Sequence, residues 1–139
     1  MNLPRLCVLL ASLRTYQLWS QATHWNVSGP NYYSDHLLYQ RLYTEVEPQV
    51  DALAEKIMSY QGRIDFLDHL QLISKMTTHY LGTSSYTAEE NLKIVSVIRN
   101  QVTKILGDSD LPNGLQDYLQ GLDNLLESHV YLLQQRIGC

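Results

Sequence analysis

Cysteine is scarce in this 139-residue chain: Cys7 and Cys139 stand at opposite ends. That excludes a disulfide framework and a CxxC metal site, and two reduced thiols are expected. There are only four prolines and seven glycines, and 45% of residues are apolar. This argues against disorder and suits a helical globular domain. Positive charge is not in excess. The net charge is −4 and the ten Lys and Arg are scattered, which leaves little to neutralise a phosphate backbone. No apolar run is long enough to span a bilayer, so no membrane segment is expected. Arg5 followed by LCVLLASL has the look of a signal peptide, but the run is short and no small-x-small cleavage site follows it. Asn26-Val27-Ser28 is a glycosylation sequon by pattern only, idle in a cytoplasmic protein.

What is present is helical periodicity, broken only over residues 62–85, read as one all-α domain over residues 1–139. An amphipathic first helix runs through Leu6, Leu13, Tyr16, Gln17 and Ser20 to His24, where Gly29-Pro30 breaks it. A second helix is predicted over 34–61, with Ser34 as N-cap. Phe66, Leu67, Leu70, Leu72 and Ile73 suggest a short helix between Gly62 and the Gly82–Ser85 loop. Thr87-Ala-Glu-Glu90 is a capping box, and Leu92, Val95, Ile98, Val102 and Ile105 then follow at helical spacing until Gly107. The last helix is expected from about Leu111 to Arg136, with Leu115, Leu119, Leu122, Leu126 and Leu133 on its core face. Asp65, Asp68 and His69 are chemically able to hold a metal, but capping and solvent contact are the expectation. Asp108-Ser-Asp110-Leu-Pro-Asn-Gly114 lacks the spacing of a calcium loop.

The stretch His24–Glu55 carries the chemistry. It holds His24 and His36, then Asp51 and Glu55 four residues apart. Positions four apart share a helix face, so both carboxylates can reach one ion. His36, Gln40, Asp51 and Glu55 fall within an arc of roughly 100° on one helix. Yet His36 and Asp51 lie about 22 Å apart along its axis, too far for one metal in one chain. Two such helices paired antiparallel about a two-fold axis bring the His end of one beside the Asp/Glu end of the other, making two equivalent sites. A short turn after His24 folds the first helix back and can bring His24 near His36.

This stretch resembles the Dps family of ferritin-like proteins. The likeness is carried by His24-Trp25-Asn26-Val27, Gly29-Pro30, His36, Asp51 and Ala54-Glu55-Lys56-Ile57. It implies a ferritin-like four-helix bundle with a short extra helix in the long crossover between helices two and three. It implies a ferroxidase centre, both metal-binding and catalytic, with His24 and His36 from one subunit and Asp51 and Glu55 from its two-fold partner. Iron (Fe2+/Fe3+) would be oxidised, preferably by hydrogen peroxide, and stored as ferric mineral in a hollow homo-oligomer, a dodecamer in the cytoplasm that protects against oxidative damage. Trp25 would lie beside the iron site, although packing is its expected role here, and Tyr131 stands where the family often has tryptophan. Asp108, Asp110 and Asp117 are candidates for an iron-admitting pore, against a solvated turn. Tyr39 and Tyr43 are expected to pack at the dimer contact. Two departures stand out: Gln40 replaces the family's acidic residue, and Pro48 sits inside the second helix, where it should kink it.

Other classes are weaker. A classical ferritin builds its di-iron site from Glu-x-x-His motifs, and no Glu here has His three residues later. A DNA-binding role would draw on a basic tail, whereas the sequence given opens Met-Asn-Leu-Pro-Arg and closes Arg-Ile-Gly-Cys, so direct DNA binding is not expected. The alternative kept is a ferritin-like structural or interaction protein with a weak or inactive site.

Overall fold

The computed structural model describes residues 3–80 and 86–138. Their order is α1 (Leu3–Asn26), α2 (Tyr32–Gln61), α3 (Phe66–Tyr80), α4 (Ala88–Leu106) and α5 (Asn113–Ile137). The long helices α1, α2, α4 and α5 form a bundle. α1 packs on α2 and α4, α4 packs on α5, and α2 closes against α5. The expected extra helix is α3, lying in the crossover from α2 to α4 and packed on α1. Among the described residues no helix is long and apolar enough to cross a membrane.

Local signals set the boundaries. Gly29 sits at φ +93°, which favours glycine, and it turns the chain between α1 and α2. Gly62, at φ +86°, ends α2 in the left-handed conformation while its N–H donates to the Met58 carbonyl at 2.8 Å. Thr87 caps α4 as expected, its Oγ1 accepting from the Glu90 N–H at 3.2 Å. Gly107 closes α4 at φ −73°, a right-handed conformation open to other residues.

Several expectations need correction. α2 starts at Tyr32 behind Asn31, and Ser34 is not its cap: its hydroxyl donates back to the Asn31 carbonyl from within the first turn. Pro48 lies inside α2, which runs through it as one helix to Gln61, as expected. α5 begins at Asn113, behind Pro112. α1 is not an amphipathic surface helix. It buries Leu6, Leu9, Leu10, Leu13 and Tyr16, but also Ser12, Thr15, Gln17, Ser20 and Thr23. Three of these polar groups return a hydrogen bond to the carbonyl four residues back, at Val8, Ala11 and Trp19, so they enter the interior satisfied. On α3, Asp65 does cap, accepting from the Asp68 N–H, but His69 is buried rather than solvated. The Gly82–Ser85 loop and Cys139 lie outside the described residues.

The core runs the length of the bundle through Leu42, Val46, Leu53 and Ile57 of α2, Val95, Ile98 and Val102 of α4, and Leu115, Leu119, Leu122 and Leu126 of α5. Ion pairs add little by comparison. Arg99 bridges α4 to Asp123 and Glu127 of α5 with all three groups partly exposed, where pairing contributes at most about 1 kcal/mol. Leu126→Ala is therefore expected to lower the unfolding free energy by about 2–5 kcal/mol. Arg99→Ala should cost less than about 1 kcal/mol. Urea unfolding at fixed protein concentration checks both.

Candidate metal centre

His24 lies in the last turn of α1 and His36 in the second turn of α2, and the Gly29 turn sets them face to face. Their rings stack at 3.7 Å between centroids with 21° between planes. Each ring also bonds the other residue's backbone. His24 Nδ1 lies 2.6 Å from the His36 carbonyl oxygen, and His36 Nδ1 lies 2.9 Å from the His24 carbonyl oxygen. A carbonyl oxygen only accepts, so each Nδ1 carries the proton. In the neutral imidazoles both Nε2 atoms are then left with a lone pair, the form a metal ion requires. His24 is 9% exposed, and half-buried His36 lies nearer solvent.

Aromatic rings extend the pair on both sides. Tyr32, one turn before His36, stacks at 5.1 Å from it, and the Tyr43 ring meets His24 edge-on at 5.3 Å. Trp25, next to His24 in sequence, does not pack as expected but is 66% exposed. Tyr39 also departs from expectation. It is buried in the chain's own core rather than offered to a dimer contact, and burial, the first cause, pushes its phenol up to about 12.

Asp51 and Glu55 are exposed further along α2, on the same helix as His36. Among the described residues no group of three or more His, Cys, Asp or Glu gathers around one point. One chain thus brings His24 to His36 and leaves the Asp51–Glu55 pair apart from them. Gln40, one turn beyond His36, is exposed. Of the acidic residues near the last connection, Asp108 accepts from the Asp110 N–H at 3.1 Å in a local turn.

A second polar cluster went unread in the sequence. Tyr16 of α1, His129 of α5 and Glu45 of α2 form a chain across the bundle: Tyr16 Oη to His129 Nδ1 at 3.0 Å, and His129 Nε2 to Glu45 Oε1 at 2.9 Å. Tyr16 and His129 are fully buried, while the Glu45 side chain is 34% exposed and also accepts from Arg41. The signal was there. His129 occupies the core register Leu119, Leu122, Leu126, His129, Leu133. Burial pushes the imidazole below its ordinary range, with Glu45 pulling the other way. Burial works to raise the Glu45 carboxyl, but hydrogen bonds from His129 and Arg41 hold it below the usual carboxylate range. Nearby, Asn91 donates to Ser20 inside the core, and Arg136 holds buried Asp35 through two bonds, tying the end of α5 to the start of α2.

The profile of a family of unknown function, DUF5856, matches residues 24–133, from the first of the paired histidines to the last core leucine of α5. The chain belongs to that family. It is 25% identical over 120 residues to the DNA protection during starvation protein of Brevibacillus brevis, covering 80% of this chain and 77% of the relative. It is 28% identical over 116 residues to DNA protection during starvation protein 2 of Bacillus anthracis, covering 80% and 79%. The Dps protein of Vibrio cholerae O1, described as a member of a broad superfamily of ferritin-like diiron-carboxylate proteins, superposes with a TM-score of 0.82 at 21% identity. That match covers 98% of this chain and 88% of the other. Dps from Thermosynechococcus elongatus gives 0.81 at 21%, covering 99% and 90%. The fold is ferritin-like, and in sequence the DUF5856 chain is similar to Dps proteins.

The buried imidazoles make stability depend on pH. An unfolded histidine takes up a proton near pH 6.5, whereas His129 in the folded chain resists it. His69 is shifted the same way, by burial and then by Arg14. A depressed folded value contributes stability that is present above the unfolded value and lost as pH falls below it. Stability should therefore decline from about pH 6.5 downward, by at most about 1.4 kcal/mol per pH unit for each such group. His129→Asn should flatten that slope, measured as urea midpoints between about pH 7 and 5.

Proposed function

We propose that this DUF5856 chain is a Dps-type ferroxidase and iron-storage protein. It takes Fe(II) as substrate at sites shared by two-fold related copies, oxidises it, preferably with hydrogen peroxide, and stores ferric mineral in a hollow cytoplasmic dodecamer. The observation that supports this most directly is the reciprocal bonding of His24 and His36, which prepares both Nε2 lone pairs for a metal. Asp51 and Glu55 of a second copy would complete the set, since α2 holds them too far from its own histidines.

Each residue then has a definite task. Imidazoles and carboxylates suit iron. Two carboxylates cancel the charge of Fe(II) and leave Fe(III) with one positive charge, so they stabilise the oxidised ion more. That preference strengthens in a partly desolvated interface. The backbone carbonyls of His24 and His36 fix the ligand tautomer and ring direction, as outer partners do in metal sites. Four protein ligands leave room for peroxide. Gln40, neutral where the family is acidic, offers a weaker second position. Direct DNA binding has no part in this reading, because net charge −4 with scattered cations gives phosphates little to hold.

Gln40 also favours a second reading, in which the shell persists as a structural or interaction protein without turnover. Anaerobic Fe(II) titration followed by a peroxide pulse separates the two. Wild type should bind and rapidly oxidise iron, while His36→Ala and Asp51→Ala should each lose more than about tenfold in Fe(II) affinity. Mixing the two variants under reassociating conditions should restore about a quarter of the sites, because half the dimers are mixed and each carries one intact site. Oxidation by wild type no faster than in buffer would leave the scaffold reading.

A further inference from the structure

The Tyr16–His129–Glu45 chain lies outside the proposed iron ligands, and its direction is fixed by chemistry. The Glu45 carboxylate only accepts, so His129 Nε2 carries the imidazole proton and donates at 2.9 Å. His129 Nδ1 is then a bare lone pair, and Tyr16 donates its phenolic hydrogen to it at 3.0 Å. Both rings are fully buried, and only the carboxylate end approaches solvent. Satisfying buried polar groups explains each bond singly. It does not explain why a phenol, a base and an anion stand in series across three helices among leucines, where apolar residues of similar volume are often as stable.

We propose that Tyr16 is a redox-active tyrosine, with His129 as the acceptor of its phenolic proton and Glu45 as the residue that holds His129 in the accepting tautomer. Loss of one electron alone would leave a cationic phenol in the core, a costly buried charge. Passing the O–H proton to His129 Nδ1 as the electron leaves avoids this, giving a neutral phenoxyl radical and an imidazolium paired with Glu45. Burial sets the resting state, holding the Tyr16 phenol well above its ordinary range and pushing His129 down, so both are neutral beforehand.

The oxidant follows from the iron-oxidising reading, on which this physiological use rests. Gln40 weakens a second iron position, which favours one-electron encounters between Fe(II) and peroxide. Such an encounter breaks the O–O bond to give Fe(III), hydroxide and a hydroxyl radical. Tyr16 supplies one electron to that radical, which becomes hydroxide, while the phenolic proton moves to His129. A second Fe(II) later returns the electron, and His129 returns the proton. The sum is two Fe(II) and one peroxide to two Fe(III) and two hydroxides. Tyr16 precedes His24 by eight residues on α1, about 12 Å along the axis.

The test uses the full chain in two arms. In the first, metal-free protein is oxidised by a photo-oxidised ruthenium polypyridyl complex with persulfate as electron acceptor, and phenoxyl is followed by electron paramagnetic resonance and transient absorption. A long-lived phenoxyl is expected in wild type and lost in Tyr16→Phe. His129→Asn should slow its formation by about a hundredfold, the contribution of a positioned proton acceptor. Glu45→Gln and D2O should also slow it, and these two readouts decide if His129→Asn does not fold. Unchanged yield and lifetime in Tyr16→Phe, or formation insensitive to Glu45→Gln and D2O, would show a structural hydrogen bond only and overturn the proposal. The second arm mixes Fe(II) with peroxide. A Tyr16-dependent radical under light without iron oxidation overturns the ferroxidase reading and leaves the relay standing. Iron oxidation with no Tyr16-dependent radical in either arm overturns the relay alone.

Discussion

The pairing of His24 with His36 is the constraint on which the candidate centre depends. Each imidazole donates its Nδ1 proton to the other's backbone carbonyl, and the rings stack between those two bonds. The same contacts close the α1–α2 hairpin at its tip, so fold and chemistry share one set of hydrogen bonds. A change at Gly29, whose positive φ makes the turn, would act on both. The arrangement also explains why His24 tolerates burial, since its Nδ1 proton has a fixed partner. The nearby grip of Arg136 on Asp35 anchors the first turn of α2 and so steadies the His36 side of the pair.

Helices with one apolar stripe were legible from the sequence. α4 and the core face of α5 follow Leu, Ile and Val at 3.6-residue spacing: Val95, Ile98, Val102 and Ile105 are buried as expected, with Leu92 partly buried against them, and so are Leu115, Leu119, Leu122, Leu126 and Leu133. α1 resisted the same reading because it is enclosed by α2, α3 and α4. An enclosed helix has no clean polar face to mark. Its Ser12, Thr15 and Thr23 satisfy themselves on carbonyls one turn back, so hydroxyl residues that suggest a surface sit in the interior. His69 and Trp25 were misplaced for a related reason. Residue type predicts burial only on average, and Trp25, in the last turn of α1, is 66% exposed.

The candidate centre was half legible within one chain. The pairing of His24 with His36 follows from a histidine before a turn and another one turn into the next helix, and the fold brings them together. The carboxylate half cannot appear in a single chain if the site is shared, because α2 is one continuous helix over Tyr32–Gln61 and its rise of about 1.5 Å per residue separates Asp51 and Glu55 from His36. The buried Tyr16–His129–Glu45 chain was missed for another reason. Its members come from three helices, with His129 standing 113 positions after Tyr16 and 84 after Glu45. No local spacing records such a contact, and only the leucine register around His129 marked that residue as interior.

The two histidine systems show how the acceptor beside an imidazole decides its chemistry. At His24 and His36 the acceptors are backbone carbonyls on Nδ1, so the lone pairs stay on Nε2, the nitrogen farther from the backbone. That tautomer suits a ligand reaching outward to an ion. At His129 the acceptor is the Glu45 carboxylate on Nε2, so the lone pair sits on Nδ1 and faces a phenol in the core. That tautomer suits a base receiving a proton from within. A carbonyl holds an imidazole in place without charge and leaves it free for a metal's positive charge. A carboxylate holds it with a negative charge and so stabilises the imidazolium that proton transfer would create. The opposite tautomers therefore follow from what each ring meets on its first neighbour, and they assign opposite tasks to the same side chain in one small bundle.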